Sequence, residues 1–326
     1  MNAPYDCFSI FDEVTFQRQA LDVFRYQAKH VQVYSEYLQV LGVDPLTVST
    51  WEEIPYLPVE FFKTRDIIER PLTPEIVFTS SGTTGQITSR HLVADLALYE
   101  RSFMQCFELF YGPVSDYCIL ALLPGYLERT GSSLVFMAAE LIRHSKHADS
   151  GFYLRQYADL SLLLKRLQQQ GQKTILLGVT YALLDLAENF PIHFPELILM
   201  ETGGMKGQRK ELVRDQLHEL LCNKFSVKKV HSEYGMTELL SQAYSKGDGR
   251  YFCSPWMRIR LREVNDPFAY VSYGQTGGVC ITDLANFHSC SFIATQDLGR
   301  MHPDRSFEIL GRFDQAELRG CNLMLG

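Results

Sequence analysis

The chain has 326 residues, 46% of them hydrophobic and 21% charged, with mean hydropathy −0.09; this is ordinary globular composition and excludes disordered, collagen-like and membrane-spanning classes. Lys and Arg number 31 against 38 Asp and Glu, a net charge of −7 with no clustered basic run, which argues against a nucleic-acid partner. Residues 1–14 carry neither a basic n-region nor a long apolar core, and no apolar run is long enough for a membrane span, so a cytoplasmic protein is expected.

From Phe16 to about Val40, apolar residues such as Phe16, Ala20, Phe24 and Ala28 recur at helical spacing until Gly42 and Pro45, which predicts one long helix or a broken pair. Trp51 to Lys63 holds Pro55 and Pro58 and reads as an extended segment bridging over the core. A β-α alternation follows. Strands are predicted over Glu75–Thr79, Tyr117–Leu122, Lys173–Gly178, Glu196–Glu201 and Val227–Ser232. Helices are predicted over Ala94–Phe110, Ser132–His144, Leu160–Gln170, Tyr181–Asn189 and Gln208–Asn223. Such alternation argues for an α/β fold with a largely parallel sheet. Beyond Gly249 the helical period gives way to short β-like runs at Met257–Val264, Gly278–Thr282 and Phe307–Leu310. A helical lead-in (1–75), an α/β core (76–248) and a β-rich end (249–326) are therefore expected, without internal repeat or clear linker.

Ser80, Ser81, Gly82, Thr83, Thr84 and Gly85 follow the first of these strands. Hydroxyls and glycine amides in such a loop close around phosphate oxygens, because glycine has no Cβ to hold the backbone away. A plain Ser/Thr/Gly turn is the alternative. The P-loop pattern Gly-x-x-x-x-Gly-Lys-Ser/Thr is not met, since Gln86 follows Gly85. The strand ending at Ser232 runs into Glu233, Tyr234, Gly235, Met236, Thr237 and Glu238, the position at which parallel sheets bind ligands. Tyr234 suits stacking on a base, and Glu238 suits oxygen ligation of Mg2+; a tight turn with a solvated Glu competes with that reading. Gly203 and Gly204 leave the preceding strand in the same way and admit a flat ligand. Asp297 offers acceptors and Arg312 donors for the hydroxyls of a ribose, or the two form a surface ion pair.

In this order the four segments resemble the adenylate-forming superfamily. Ser80–Gly85 is similar to its phosphate loop, Tyr234–Glu238 to its adenine and magnesium motif, Asp297 to its ribose aspartate, and Gly311-Arg312-x-Asp314 to its ribose arginine and hinge. Ile54-Pro55-x-Leu57-Pro58-Val59-x-Phe61-Phe62-Lys63, Ser89-Arg90-His91 and Met236-Thr237-Glu238-Leu239-x-Ser241-Gln242 most resemble the acyl-protein synthetases, the fatty-acid-activating subunits of bacterial luminescence reductase complexes. Phenylacetate-CoA ligase is the next relative. The resemblance implies an adenylate-forming large domain with a parallel sheet core and a β-rich C-terminal subdomain. It implies ATP and Mg2+ as cofactors, a carboxylic, fatty acid as substrate, and transfer of the acyl group from acyl-AMP to a protein thiol.

Under that resemblance the nucleotide is held by Ser80, Ser81, Gly82, Thr83, Thr84, Gly85, Gly203, Gly204, Ser232, Glu233, Tyr234, Gly235, Met236, Thr237, Asp297 and Arg312, with Glu238 on the metal. Thr88 stands where the superfamily has a Lys, which leaves Arg90 as the nearest cation for catalysis. The chain ends at Gly326, soon after Gly311, so the small C-terminal domain with its catalytic lysine is expected to be lacking. Two alternatives stay open: an aryl- or acyl-CoA ligase with coenzyme A as acceptor, and a non-catalytic nucleotide- or acyl-adenylate-binding partner in a larger complex.

The 8 cysteines lie far apart with no Cys-x-x-Cys pair, which argues against a disulfide scaffold or zinc ribbon. Cys321 follows Gly320 near the terminus and stands close to Arg319, a setting for a reactive thiolate. The resemblance implies an acyl-accepting cysteine in that region. The apolar run Ile175–Thr180 leads into an acyl pocket or is simply a buried strand and turn. His144 and His147 read as a solvated face, and His288-Ser289-Cys290 has no partners at metal spacing.

Overall fold

The computed structural model describes residues 6–80, 87–124, 131–190, 192–203 and 214–313. The chain divides into two compact units, one of Met1–Ser102, Met236–Ser241 and Phe252–Gly326, the other of Phe103–Gly235 and Gln242–Tyr251.

The second unit is built on parallel strands. Cys118–Leu122, Thr174–Val179, Ile198–Thr202 and His231–Tyr234 lie side by side in that order, all parallel. Gly151–Phe152 extends the sheet beyond Cys118–Leu122, and Ala243–Ser245 runs antiparallel to His231–Tyr234 on the other side. Parallel neighbours need crossovers, which the helices Ser133–Ser145, Tyr157–Gln169, Thr180–Asn189 and Arg214–Phe225 supply. Cys118–Leu122 and Thr174–Val179 are buried at every position, and burial on both faces is why they read as unbroken apolar runs. Gly178 packs so closely that a Cβ there would stand 2.6 Å from Cδ2 of Leu183.

An antiparallel meander forms the sheet of the first unit: Met257–Arg262, Thr276–Asp283, Phe292–Met301 and Phe307–Arg312. Leu57–Pro58 joins it parallel to Phe292–Met301, so the extended middle of the bridging segment is a real strand. Its ends coil instead, into a 3-10 turn at Trp51–Glu53 and a short helix at Phe61–Thr64. The helical lead-in is a broken pair, Glu13–His30 and Gln32–Val40. Asp12 opens the first helix with a capping box, accepting from the Thr15 N–H at 2.7 Å while its own N–H reaches Thr15 Oγ1 at 3.2 Å. Val31 ends it at φ −101°, ψ 99°, outside the helical region, and bridges Glu69. Phe24, Tyr34 and Phe292 pack with ring centroids 6.0 to 6.2 Å apart. Gln27, fully buried, donates to the carbonyls of Asn286 and Phe287 and so fixes the helix to the loop beyond Asp283.

Candidate active site

In the first unit, the strands Ile76–Thr79 and Arg90–Val93 form a hairpin that pairs Phe78 with His91 and Thr79 with Arg90. Two bonds close its loop at the base: the Ser80 N–H donates to the Ser89 carbonyl at 3.0 Å, and the Ser89 N–H to Ser80 Oγ at 2.9 Å. Ser81, Gly82, Thr83, Thr84 and Gly85 lie outside the described residues. Side chains alternate along a strand, so Arg90 points out and Ser89 and His91 point in. Arg90 pairs with Asp66 in an ion pair about half exposed on both sides. Ser89 is 2% and His91 0% exposed.

The buried pair meets the turn Met236–Ser241, in which the Leu239 N–H donates to the Met236 carbonyl at 3.1 Å. The Ser89 hydroxyl hydrogen-bonds the Glu238 carboxylate. His91 Nδ1 stands 2.8 Å from the Thr237 carbonyl, which can only accept, so this nitrogen carries the proton. Asn286 Nδ2 donates to the Glu238 carbonyl at 2.7 Å. Asp283 accepts from the Leu240 and Ser241 N–H groups at 2.9 Å each, from the Ser241 hydroxyl at 2.6 Å and from the Ala285 N–H at 3.1 Å. Asp283 and Asn286 carry no local motif, and only their place at the end of an apolar run, where buried polar side chains serve backbone groups, could have pointed to them.

Asp297 sits opposite Arg312 in the register of the last two strands, beside a shift between Leu298 and Gly299. Arg312 Nε is 3.8 Å from Asp297 Oδ1, the arginine 52% and the aspartate 17% exposed. Its Nη2 donates to Gln296 Oε1 at 3.0 Å. Burial pushes the Glu238 carboxyl above the ordinary carboxylate range; the Ser89 hydroxyl opposes this, Asp297 adds to it and Arg312 opposes it. Burial likewise brings His91 down to about 4 against the pull of the Thr237 carbonyl, so its ring is neutral at physiological pH. The predicted residues Ser80, Glu238, Asp297 and Arg312 thus belong to one connected set within this unit, and Arg90 stands on its outer face.

In the second unit the strand ends Ile198–Thr202 and His231–Tyr234 gather two buried carboxylates. Register sets Glu201 beside Ser232 and Thr202 beside Glu233. Glu201 accepts from Ser232 Oγ at 2.9 Å and from Thr180 Oγ1 at 3.0 Å, with His218 Nε2 3.5 Å away. Burial pushes its carboxyl up, but the nearby His218, the Arg214 guanidinium and the Ser232 hydroxyl outweigh it and hold it below the usual range. Glu233, bonded by the Thr202 hydroxyl, is instead pushed up to about 7 by burial, with Glu201 adding to the shift. Gly235 leaves room for that carboxylate: a Cβ would come 2.5 Å from Glu233 Oε1. Tyr234 lies edge-on to Tyr251 at 6.0 Å. The Gly203 carbonyl is within 2.7 Å of Thr180 Oγ1, and Gly204 lies outside the described residues.

Burial raises the thiol pKa of Cys7, Cys118, Cys222, Cys253, Cys280 and Cys290. Asp314 and Cys321 lie outside the described residues. Among the described residues there is no group of three or more His, Cys, Asp or Glu suited to a metal, and no helix is long and apolar enough to cross a membrane. His288 is bonded to Glu69 at 2.6 Å.

A mixed sheet with a parallel core and a β-rich end is the architecture of the adenylate-forming large domain. Solved structures agree. A 2-hydroxyisobutyryl-CoA ligase in complex with 2-HIB-AMP and CoA superposes with TM-score 0.69 at 16% identity, over 92% of this chain and 70% of that one. ATP-bound MatB from Rhodopseudomonas palustris gives TM-score 0.55 at 18% identity over 72% of this chain and 47% of MatB, so the match spans about half of that protein. The chain belongs to the LuxE acyl-protein synthetase family, whose model matches residues 4–326. It is 22% identical to the "Long-chain-fatty-acid--luciferin-component ligase" of Vibrio harveyi over 93% of this chain and 85% of the relative. The protein of the same description from Photorhabdus luminescens is 36% identical over 83 residues, 25% of this chain and 71% of that one.

Proposed function

We propose that this acyl-protein synthetase activates a long-chain fatty acid with ATP to the acyl-AMP and passes the acyl group to a protein thiol. One observation carries the reading: Ser80, Ser89 and Glu238 are joined by hydrogen bonds, tying the base of a glycine-hydroxyl anion loop to a buried carboxylate on which Asp297 and Arg312 also act. The family and the fatty-acid ligase names of the relatives support the substrate class.

In this reading Ser80–Gly85 hold the ATP phosphates, Asp297 accepts from the ribose hydroxyls and Arg312 donates to them. Gly203, Gly204 and Ser232–Thr237 are assigned to the nucleotide, with Tyr234 stacking on the base. Mg2+ binds through one or two carboxylates plus substrate phosphates and water, and the single buried carboxylate of Glu238 fits that demand. Bound there, Mg2+ would neutralise phosphate charge as pyrophosphate leaves. Burial disfavours the ionised Glu238, and a dication reverses that preference. The chain's own contribution is orientation and charge compensation at the phosphates. The raised thiol pKa values of the six cysteines named above disfavour them as nucleophiles, and Cys321 is our proposed acceptor. A second reading, favoured by the acyl-CoA ligases among the structural neighbours, makes coenzyme A the thiol.

The test is incubation with ATP, Mg2+ and a panel of carboxylic acids, following pyrophosphate, acyl-AMP and covalent mass increase. A hydroxylamine-sensitive acyl label that disappears in Cys321→Ser, while acyl-AMP still forms, is the expected result. Acylation of free coenzyme A without protein label selects the second reading. If no carboxylate releases pyrophosphate, the protein is a binder and the proposal fails.

A further inference from the structure

Ser89 and His91 face the same side of one strand and touch consecutive residues of one turn. Ser89 holds the Glu238 carboxylate, and His91 Nδ1 holds the Thr237 carbonyl at 2.8 Å. We propose that His91 is a positioning residue for the activation step, fixing the backbone at Thr237 so that Glu238 presents its carboxylate in a single orientation. The inference rests on the activation chemistry proposed above.

The carboxylate is held by the Ser89 hydroxyl and by the Glu238 backbone N–H, so its orientation follows that of the peptide between Thr237 and Glu238. Asn286 on the Glu238 carbonyl and Asp283 on the Leu240 and Ser241 N–H groups hold the turn after that peptide. His91 supplies the anchor on the peptide itself. Without His91, the peptide between Thr237 and Glu238 loses its described side-chain partner, and the carboxylate turns with it.

Packing does not by itself call for histidine at this position. The ring is fully buried, and its Nε2 has no partner among the described residues, a state that costs stability relative to an apolar side chain of similar volume. Phe62 stands edge-on at 5.7 Å and would pack as well against leucine. What leucine lacks is the donor at Nδ1. The role is also distinct from that of a group touching substrate, because the donor is spent on the Thr237 carbonyl.

Three variants test this. His91→Asn keeps an N–H near the place of Nδ1, His91→Gln carries its amide farther out, toward the place of Nε2, and His91→Leu removes both. Each is followed by the thermal midpoint, kcat and KM for ATP in carboxylate-dependent pyrophosphate release, and hydrogen exchange of the Leu239 amide, which closes the turn. We expect Gln and Leu to lower kcat at least thirtyfold, about 2 kcal/mol in the barrier, with KM within about threefold. The Leu239 amide should exchange at least tenfold faster in both. Asn should keep kcat within about fivefold and wild-type protection. A folded Asn variant as slow as Leu, a Leu variant with wild-type kcat, an effect on KM alone, or losses that merely follow the thermal midpoint would overturn the role. If Leu does not fold, the Asn and Gln pair decides. Should wild type release no pyrophosphate, the functional reading fails, and exchange at Leu239 still decides the anchor: equal protection in wild type and Leu overturns it, and loss in Leu with retention in Asn supports it.

Discussion

Removing the carboxylate of Asp283 should weaken the first unit more than its conservative replacement does, by a difference the hydrogen bonds allow one to work out. Oδ2 accepts the Leu240 and Ser241 N–H groups, and Oδ1 accepts the Ser241 hydroxyl and the Ala285 N–H. Asp283→Ala orphans three buried N–H donors, each worth about 1 kcal/mol or more. Removing the carboxylate also lifts a desolvation cost, because burial pushes its pKa up. The net loss is roughly 2 to 4 kcal/mol. Asp283→Asn keeps an oxygen for the first two donors, and the Ser241 hydroxyl can reverse to accept from the new amide. Only the Ala285 N–H then faces a donor, a loss of about 1 kcal/mol. Urea unfolding followed by tryptophan emission measures the gap. Trp51 and Trp256 are the 2 tryptophans of the chain and both lie in this unit, with Trp256 Nε1 donating to Ser241 Oγ at 2.9 Å. Ala and Asn variants that unfold within about 0.5 kcal/mol of each other would refute the reasoning, since the retained acceptor would then contribute nothing.

Three further outcomes are expected. His91 titrates near 6.5 when unfolded and near 4 when folded, so the unfolded state binds more protons between these values and stability falls as pH drops from about 6.5 toward 4. At pH 5 this loss is about 2 kcal/mol, and the difference in unfolding free energy between wild type and His91→Asn should change by that amount between pH 7 and pH 5; parallel pH profiles would contradict it. Gly235→Ala drives a Cβ onto Glu233 Oε1 and should cost about 1 to 3 kcal/mol of stability, read by calorimetry, with relief in the double variant Gly235→Ala, Glu233→Ala. Glu238→Gln should slow acyl-AMP formation at least tenfold without lowering the melting temperature, because the charge it removes is one that burial disfavours; full activity with unchanged Mg2+ dependence would remove Glu238 from the metal.

Strands buried on both faces were the easiest elements to read. Residues 173–178 were expected and Thr174–Val179 found, because an apolar run of that length has little else to become. The strand expected at Val227–Ser232 is displaced to His231–Tyr234. Ser226 adopts φ 59° just after the helix, and Val227 and Val230 are buried in the connection rather than in the sheet, so their apolarity misplaced the strand. Glu233 and Tyr234 consequently close a strand instead of opening a loop. Phe292–Met301 went unread because Thr295, Gln296, Asp297 and Arg300 break its apolar pattern. In the candidate site, Ser80, Glu238, Asp297 and Arg312 are the proposed residues that local motifs point to. Such motifs do not point to Asp283, Asn286 or the inward-facing role of His91, since the partners of these three are backbone groups 42, 48 and 146 residues away, and no local spacing encodes such pairings.

The pinch between Ser80 and Ser89 has a consequence for variation among such chains. A hairpin usually inherits its register from the length of its turn, so one inserted residue would send every side chain of Arg90–Val93 to the opposite face, taking His91 out of the interior and Arg90 into it. Here two bonds at the loop's neck, from Ser80 N–H to the Ser89 carbonyl and from Ser89 N–H to Ser80 Oγ, set the register independently of what lies between. Lengthening the chain between the two serines therefore adds only a slowly growing closure entropy, about 0.6 kcal/mol per doubling. The strands, and everything hung on their inner face, keep their alignment.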